Sequence, residues 1–91
     1  MKVKICGINH EVKYVPDNFQ NDLHLGEIDY GKAEIHINAE AAPNVQEETL
    51  FHEIIHGILV HIGRQDLSSD ETFVQTLGNA AFQTFDIRLV D

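Results

Sequence analysis

The segment of residues 49–61, TLFHEIIHGILVH, constrains this chain more than any other. It contains an H-E-x-x-H motif, His52-Glu53-Ile54-Ile55-His56, within an apolar run that suits a helix. Residues four apart lie on one helix face, so both histidines can bind one metal ion. Glu53 lies roughly 100° around the helix from His52 and can reach a water molecule on that ion. We therefore expect a buried helix over residues 45–62 with Asn44 as its N-cap, Glu47 and Glu48 in its first turn and Gly63 as its stop.

The chemistry of zinc explains this spacing. Catalytic zinc has three protein ligands and a water molecule, whose pKa it lowers to about 7. The sequence thus predicts Zn²⁺ as cofactor, His52 and His56 as ligands, and Glu53 as the general base that takes the proton. The metzincin extension is excluded because Leu59 and Ile62 occupy its glycine and third-histidine positions.

The third ligand must come from elsewhere in the chain. His61 faces away, since it follows His56 by five residues, or roughly 140° on the helix wheel. Glu71 is the first choice because it shares a helix face with Val74 and Gly78, and Gly78 allows this last helix to approach the first closely. Asp70 is the reserve, and Glu71 alternatively serves only an S-x-x-E capping box that begins at Ser68. The downstream carboxylates considered are Asp66, Asp70, Glu71 and Asp86.

The remaining pattern predicts an α+β fold, with a small antiparallel sheet of about four strands packed on two main helices. Residues 2–6 and 11–15 alternate polar and apolar side chains around a turn at 7–10, as in a hairpin. After a link at 19–22, a second pair follows, with Leu23, Leu25 and Ile28 in one strand and residues 33–39 in the other. The last helix begins after residues 64–67 and ends before a tail at 86–91.

Size and charge limit the function. The 91 residues suffice for one domain, residues 1–91, and the formal charge of −9 disfavours binding to nucleic acid. The single cysteine, Cys6, cannot form an internal disulfide, which favours a reducing compartment. No signal peptide or membrane-spanning run is visible, so we expect a soluble, cytoplasmic protein without membrane partners.

HEIIH followed by DETFVQTLGNAAFQ resembles the gluzincin group of zinc metallopeptidases, in particular the very small phage-encoded minigluzincins, with kinship to ImmA/IrrE-type metallopeptidases. The similarity covers residues 25–85 and includes LGEIDYGKAEIHIN before the motif. It implies Glu71 as third ligand and a zincin-like sheet whose edge strand, expected at residues 33–38, binds extended peptide. Larger gluzincins often carry an aspartate or asparagine four residues after the third ligand to orient a histidine; Gln75 occupies that position here.

The favoured hypothesis is a zinc-dependent metallopeptidase that hydrolyses peptide or protein substrates through a zinc-bound water activated by Glu53. The first alternative is a non-catalytic zinc-binding module for folding or partner interaction. The second is a chance motif in an interaction domain. Tyr30 and His36 are candidate oxyanion donors. The favoured interpretation of His36, as of His10, His24 and His61, is an ordinary strand, loop or helix residue.

Overall fold

A computed structural model describes residues 1–16 and 25–91, which form a four-stranded sheet and three helices. The strands are β1 (Lys2–Ile5), β2 (Ile8–Val15), β3 (Gly26–Asp29) and β4 (Glu34–Asn38). Their order across the sheet is β1-β2-β4-β3. The predicted α+β class and the four strands are confirmed.

The sheet is mixed rather than antiparallel. β1 pairs antiparallel with β2, and β3 pairs antiparallel with β4, but β2 and β4 run parallel. The chain between β2 and β4 contains β3, which pairs with the outer side of β4. β4 therefore enters the sheet beside β2 in the same direction, an arrangement that strand alternation alone does not specify.

The first hairpin turns earlier than predicted. Its two turn residues, Cys6 and Gly7, have φ angles of 48° and 85°, as a two-residue turn between twisted antiparallel strands requires. The predicted turn at residues 7–10 is therefore wrong, and Ile8 already pairs with Ile5. The second hairpin agrees with the prediction except that β3 begins at Gly26; Leu23 and the link at 19–22 lie outside the described residues.

The core lies between one face of the sheet and the first helix, α1 (Pro43–His61). Ile35 and Ile37 of β4 are 0% exposed, and Leu50 of α1 joins the same cluster. The opposite faces of α1 contact the sheet and the last helix, so it is apolar over most of its circumference. This position buries the H-E-x-x-H segment in the middle of the fold.

The ends of α1 differ from the prediction only at the start. Pro43 is the first helical residue, where its missing N–H costs nothing, and Ala42 rather than Asn44 is the N-cap. Glu47 and Glu48 consequently lie beyond the first turn. The predicted stop is confirmed: Gly63 has φ +81°, and its N–H and that of Arg64 bond back to carbonyls of the last turn.

Two further helices follow, α2 (Gln65–Ser68) and α3 (Glu71–Thr84). The predicted capping box is wrong because Ser68 belongs to α2, and the Asp70 carboxylate accepts the hydrogen bond from the Phe73 N–H. α3 packs on α1, and a Cβ added at Gly78 would lie 3.4 Å from the His52 Cα. The close approach expected at Gly78 is therefore confirmed.

The tail after α3 returns to the sheet. Ile87 and Leu89 pack against the core, and Val90 forms a bridge with Lys2 at the outer edge of β1. Across residues 1–16 and 25–91, none of the helices has the length and apolar character that crossing a bilayer requires.

Candidate metal centre

The structure brings together three of the four residues predicted to form the site: His52 and His56 from α1, and Glu71 from the start of α3. One ligand atom from each lies within 4.8 Å of the others. The Glu71 oxygens are 3.3 Å from His52 Nε2 and 3.1 Å from His56 Nε2. Two ligands of one tetrahedral zinc ion are expected about 3.4 Å apart. This group can therefore hold a metal ion.

Hydrogen bonds on the far side of His52 fix its orientation. Its Nδ1 lies 2.9 Å from Oε1 of Gln75. The Gln75 amide nitrogen is in turn within 3.2 Å of Glu48 Oε1 and 3.1 Å of Asn79 Oδ1. Because both contacts are acceptors, the amide nitrogen must face them, and Oε1 is left to accept the proton of His52 Nδ1. The Nε2 lone pair then points at Glu71.

His56 is oriented in the same way by a different residue. Its Nδ1 lies 2.9 Å from the Ser68 hydroxyl, and its Nε2 faces Glu71. Burial lowers the pKa of His56, while the Glu71 carboxylate acts in the opposite direction. In the tautomer that carries the proton on Nδ1, directed at Ser68, an unprotonated Nε2 faces a carboxylate oxygen, acceptor against acceptor. A cation between them removes this conflict, which is the role of a metal ion or of a proton.

Glu53 is the buried carboxylate of the site. Its side chain is 7% exposed, yet it lines the same cleft as the three ligands. Burial raises the pKa of Glu53 to about 7, and the charges of Glu71 and Glu27 add to this effect. Such a carboxyl group can both accept and return a proton near neutral pH.

The cleft has a volume of about 550 Å³ and lies between the edge strand β3 and the helices α1 and α3. This volume is within the range of small-molecule and peptide-side-chain sites. Tyr30 lies on its wall with the three ligands. Burial raises the pKa of the Tyr30 hydroxyl, and the carboxylates of Glu53 and Glu71 act in the same direction while Ser68 opposes them. This hydroxyl therefore remains a hydrogen-bond donor at neutral pH.

The other candidate residues do not join the group. Asp70 caps α3 and Asp66 pairs with Arg64 at 2.9 Å. His36 lies between Glu27 and Glu34 and is not part of the cleft lining. The last carboxylate considered as a ligand, Asp86, is exposed. His10 is buried, and its ring contacts that of exposed His61 edge-on. His24 lies outside the described residues.

The edge strand beside the site is not β4, although the sequence predicts residues 33–38 for this position. The prediction of residues 33–38 as the edge strand is wrong, because β4 lies between β2 and β3 with both of its edges paired. β3 is the strand at the edge of the sheet, and Gly26, Glu27 and Ile28 line the cleft. β3 is thus the outermost strand of the described sheet, and it borders the cleft that holds the three candidate ligands.

Of the two residues that hold the histidine rings, sequence reasoning missed Ser68 and the support of Gln75. Ser68 was assigned to a helix cap, because a one-turn helix such as α2 leaves no periodic signal. Gln75 was identified as a possible partner of a histidine, but its anchoring by Glu48 and Asn79 depends on how α3 crosses α1.

Comparison with known proteins identifies no relative of this chain. No family model matches the chain, and neither the curated proteins nor the solved structures include a significant match. The functional argument therefore depends on the geometry of the site.

Proposed function

We propose that this protein is a zinc-dependent metallopeptidase with His52, His56 and Glu71 as metal ligands and Glu53 as general base. The observation that carries the proposal is the buried carboxylate beside the three-residue group. A metal site that served only folding would need the ligands but no additional unliganded carboxylate, and structural zinc sites normally have four protein ligands.

The donor set fits zinc. Two imidazole nitrogens and one carboxylate oxygen are the ligands of known catalytic zinc sites of the His₂Glu type. When bound, zinc supplies a Lewis acid that makes water acidic near neutral pH and stabilises negative charge on a carbonyl oxygen. Gln75 and Ser68 hold the two rings with Nε2 towards Glu71, so this chain orients its ligands before any ion arrives.

Glu53 and Tyr30 would act on the substrate. Glu53 takes a proton from the attacking water and then donates it to the departing amine, because its raised pKa suits both transfers. The Tyr30 hydroxyl, from a residue that lines the same cleft, would donate a hydrogen bond to the carbonyl oxygen as negative charge develops there. Peptide would enter along β3, which is the outermost strand of the sheet that residues 1–16 and 25–91 form and which borders the cleft.

The test is a comparison of wild type with Glu53→Gln, each loaded with one equivalent of zinc. New amino termini released from a mixture of casein peptides are counted with an amine-reactive dye, and bound zinc is measured by mass spectrometry. We expect the variant to keep zinc and to lose at least about a hundredfold in rate. If wild type binds zinc but releases no amino termini, the non-catalytic metal-binding module replaces the proposal. Equal rates in both proteins would refute the role of Glu53.

A further inference from the structure

The cleft beside the candidate metal centre is lined by acidic side chains. Four glutamates contribute to its surface: Glu27, Glu48, Glu53 and Glu71. None of the described residues that line it is a lysine or arginine, and the sequence of residues 17–24, DNFQNDLH, contains neither. A bound divalent cation would offset the charges of Glu53 and Glu71. The other two glutamates would leave the cleft negative.

Glu48 lies on the helix that carries the ligands, four residues before His52. One of its oxygens accepts a hydrogen bond from the Gln75 amide, which is neutral and leaves the negative charge uncompensated. Residues four apart on a helix have their Cβ atoms about 6 Å apart. The Glu48 charge is therefore about one helical turn from the metal ligands.

Glu27 lies on the edge strand across the cleft. Its side chain is 50% exposed, and its Oε1 lies 3.4 Å from Nδ1 of His36. His36 also contacts Glu34 at 3.0 Å, so the imidazole is shared between two carboxylates. Asp66, by contrast, is paired with Arg64 at 2.9 Å. Within the described residues, no lysine or arginine forms an ion pair with either Glu27 or Glu48.

The third carboxylate, Glu53, is directed to the same space. It is 7% exposed, it lines the cleft, and no donor among residues 1–16 and 25–91 hydrogen-bonds to it. With the Glu53 charge offset by a bound cation, Glu27 and Glu48 give the cleft a negative potential where a substrate chain would lie, since no lysine or arginine of the described residues pairs with them.

We propose that the cleft selects peptides that carry a lysine or arginine within about two residues of the bond presented to the metal centre. This inference depends on the proposed peptidase function. One helical turn of about 6 Å corresponds to about two residues of extended peptide at 3.3 Å each. A cationic side chain at that distance reaches Glu27 or Glu48, whereas an acidic one meets like charge.

The experiment uses the full chain loaded with zinc and a synthetic peptide library with equal proportions of Lys, Arg, Gln and Glu at every position. Cleavage sites are mapped by mass spectrometry for wild type, Glu27→Gln and Glu47→Gln. Glu47 is the matched control because it is an exposed glutamate of α1 that does not line this cleft. Glu48 is not substituted because it anchors Gln75.

We expect Lys and Arg to occur roughly five times as often as Gln within two residues of the cleaved bonds, a ratio that one or two partly exposed ion pairs would give. Glu should be depleted at the same positions. Glu27→Gln should reduce the excess about twofold, Glu47→Gln should not, and 0.5 M salt should weaken it through screening. Cleavage without a charge preference, or an equal loss in both variants, overturns this inference and leaves the peptidase function intact.

A second measurement separates the two proposals if no cleavage occurs. Two labelled alanine-rich decapeptides are used, one carrying two lysines and the other two glutamates. Fluorescence anisotropy follows their binding to two zinc-loaded proteins, the Glu53→Gln variant and the double variant Glu53→Gln with Glu27→Gln. Tighter binding of the lysine peptide, weakened by the second substitution, supports charge selection even though the hydrolytic function has failed. Equal binding of the two peptides overturns it.

Discussion

Glu53→Gln should make the metal-free protein more stable, although it removes the proposed catalytic base. The Glu53 side chain is 7% exposed at the centre of α1. Its pKa is raised from 4.5 to about 7, first by burial and then by the charges of Glu71 and Glu27. The folded protein therefore disfavours the charged carboxylate, and a neutral amide of the same shape avoids that cost.

The sign and size follow from proton linkage. Between pH 4.5 and 7 the folded protein holds a proton that the unfolded chain has released, so stability falls as pH rises through this window. The penalty is absent below pH 4.5 and complete above pH 7. The two pKa values correspond to roughly 3 kcal/mol, an upper bound because the fold can relax around the charge. We expect wild type to lose about 1–3 kcal/mol relative to the variant between pH 5 and pH 8.

The assay is urea unfolding in excess chelator at pH 5, 6, 7 and 8, followed by circular dichroism. Glu47→Gln is the control, since it removes the same charge from an exposed position of α1 in a chain of net charge −9. Titration of the six histidines affects all three proteins and cancels in the differences. If Glu53→Gln and Glu47→Gln differ from wild type by the same amount at every pH, the buried-carboxylate argument is wrong.

Three other predictions concern the ligands and their supports. His56→Ala and Glu71→Ala should each abolish the binding of one zinc per chain and the increase in melting temperature that zinc gives wild type; retained stoichiometric zinc would disprove the ligand set. Ser68→Ala should weaken zinc binding by 10- to 100-fold in chelator competition, and Ser68→Thr should restore it, because only a hydroxyl can hold the Nδ1 side of His56. Gly78→Ala should leave the stability unchanged or raise it by up to about 1 kcal/mol in thermal unfolding, since the added Cβ would lie 3.4 Å from the His52 Cα, an ordinary contact. Gly78→Leu should destabilise the protein because a larger side chain does not fit there. Similar melting temperatures for the two variants would contradict the close packing of α3 on α1.

Much of the site could be predicted because local sequence determines it. The four-residue spacing of His52 and His56 requires only that the segment be helical, and the apolar run around it ensures this. Glu71 could be chosen because Gly78 indicated which face of α3 approaches α1. By contrast, Ser68 depends on the one-turn helix α2, and no pattern of four residues reveals where a hydroxyl will point.

The sheet was less predictable for a related reason. Alternation identified the residues that became β2 and β4, but the pairing between them is long-range and parallel. Alternation indicates which side chains are buried and not which strand is adjacent. The predicted edge strand, residues 33–38, is therefore β4 in the interior of the sheet, and the strand at the sheet edge beside the site is β3. The predicted helix begins at residue 45, two residues after Pro43, whereas α1 begins at Pro43 itself, because the fixed φ of proline suits the first helical position.

The candidate ligand group joins two helices that are separate in sequence, so a bound metal ion would make the structure depend on metal supply. Two ligands lie on α1, while Glu71 and the histidine-orienting Gln75 both lie on α3. α3 otherwise contacts only α1 and α2 among the described elements, with no strand beside it. A bound ion would thus fasten the outermost helix to the rest of the fold. The exchange rates of the α3 amide protons would then report how much metal the protein carries.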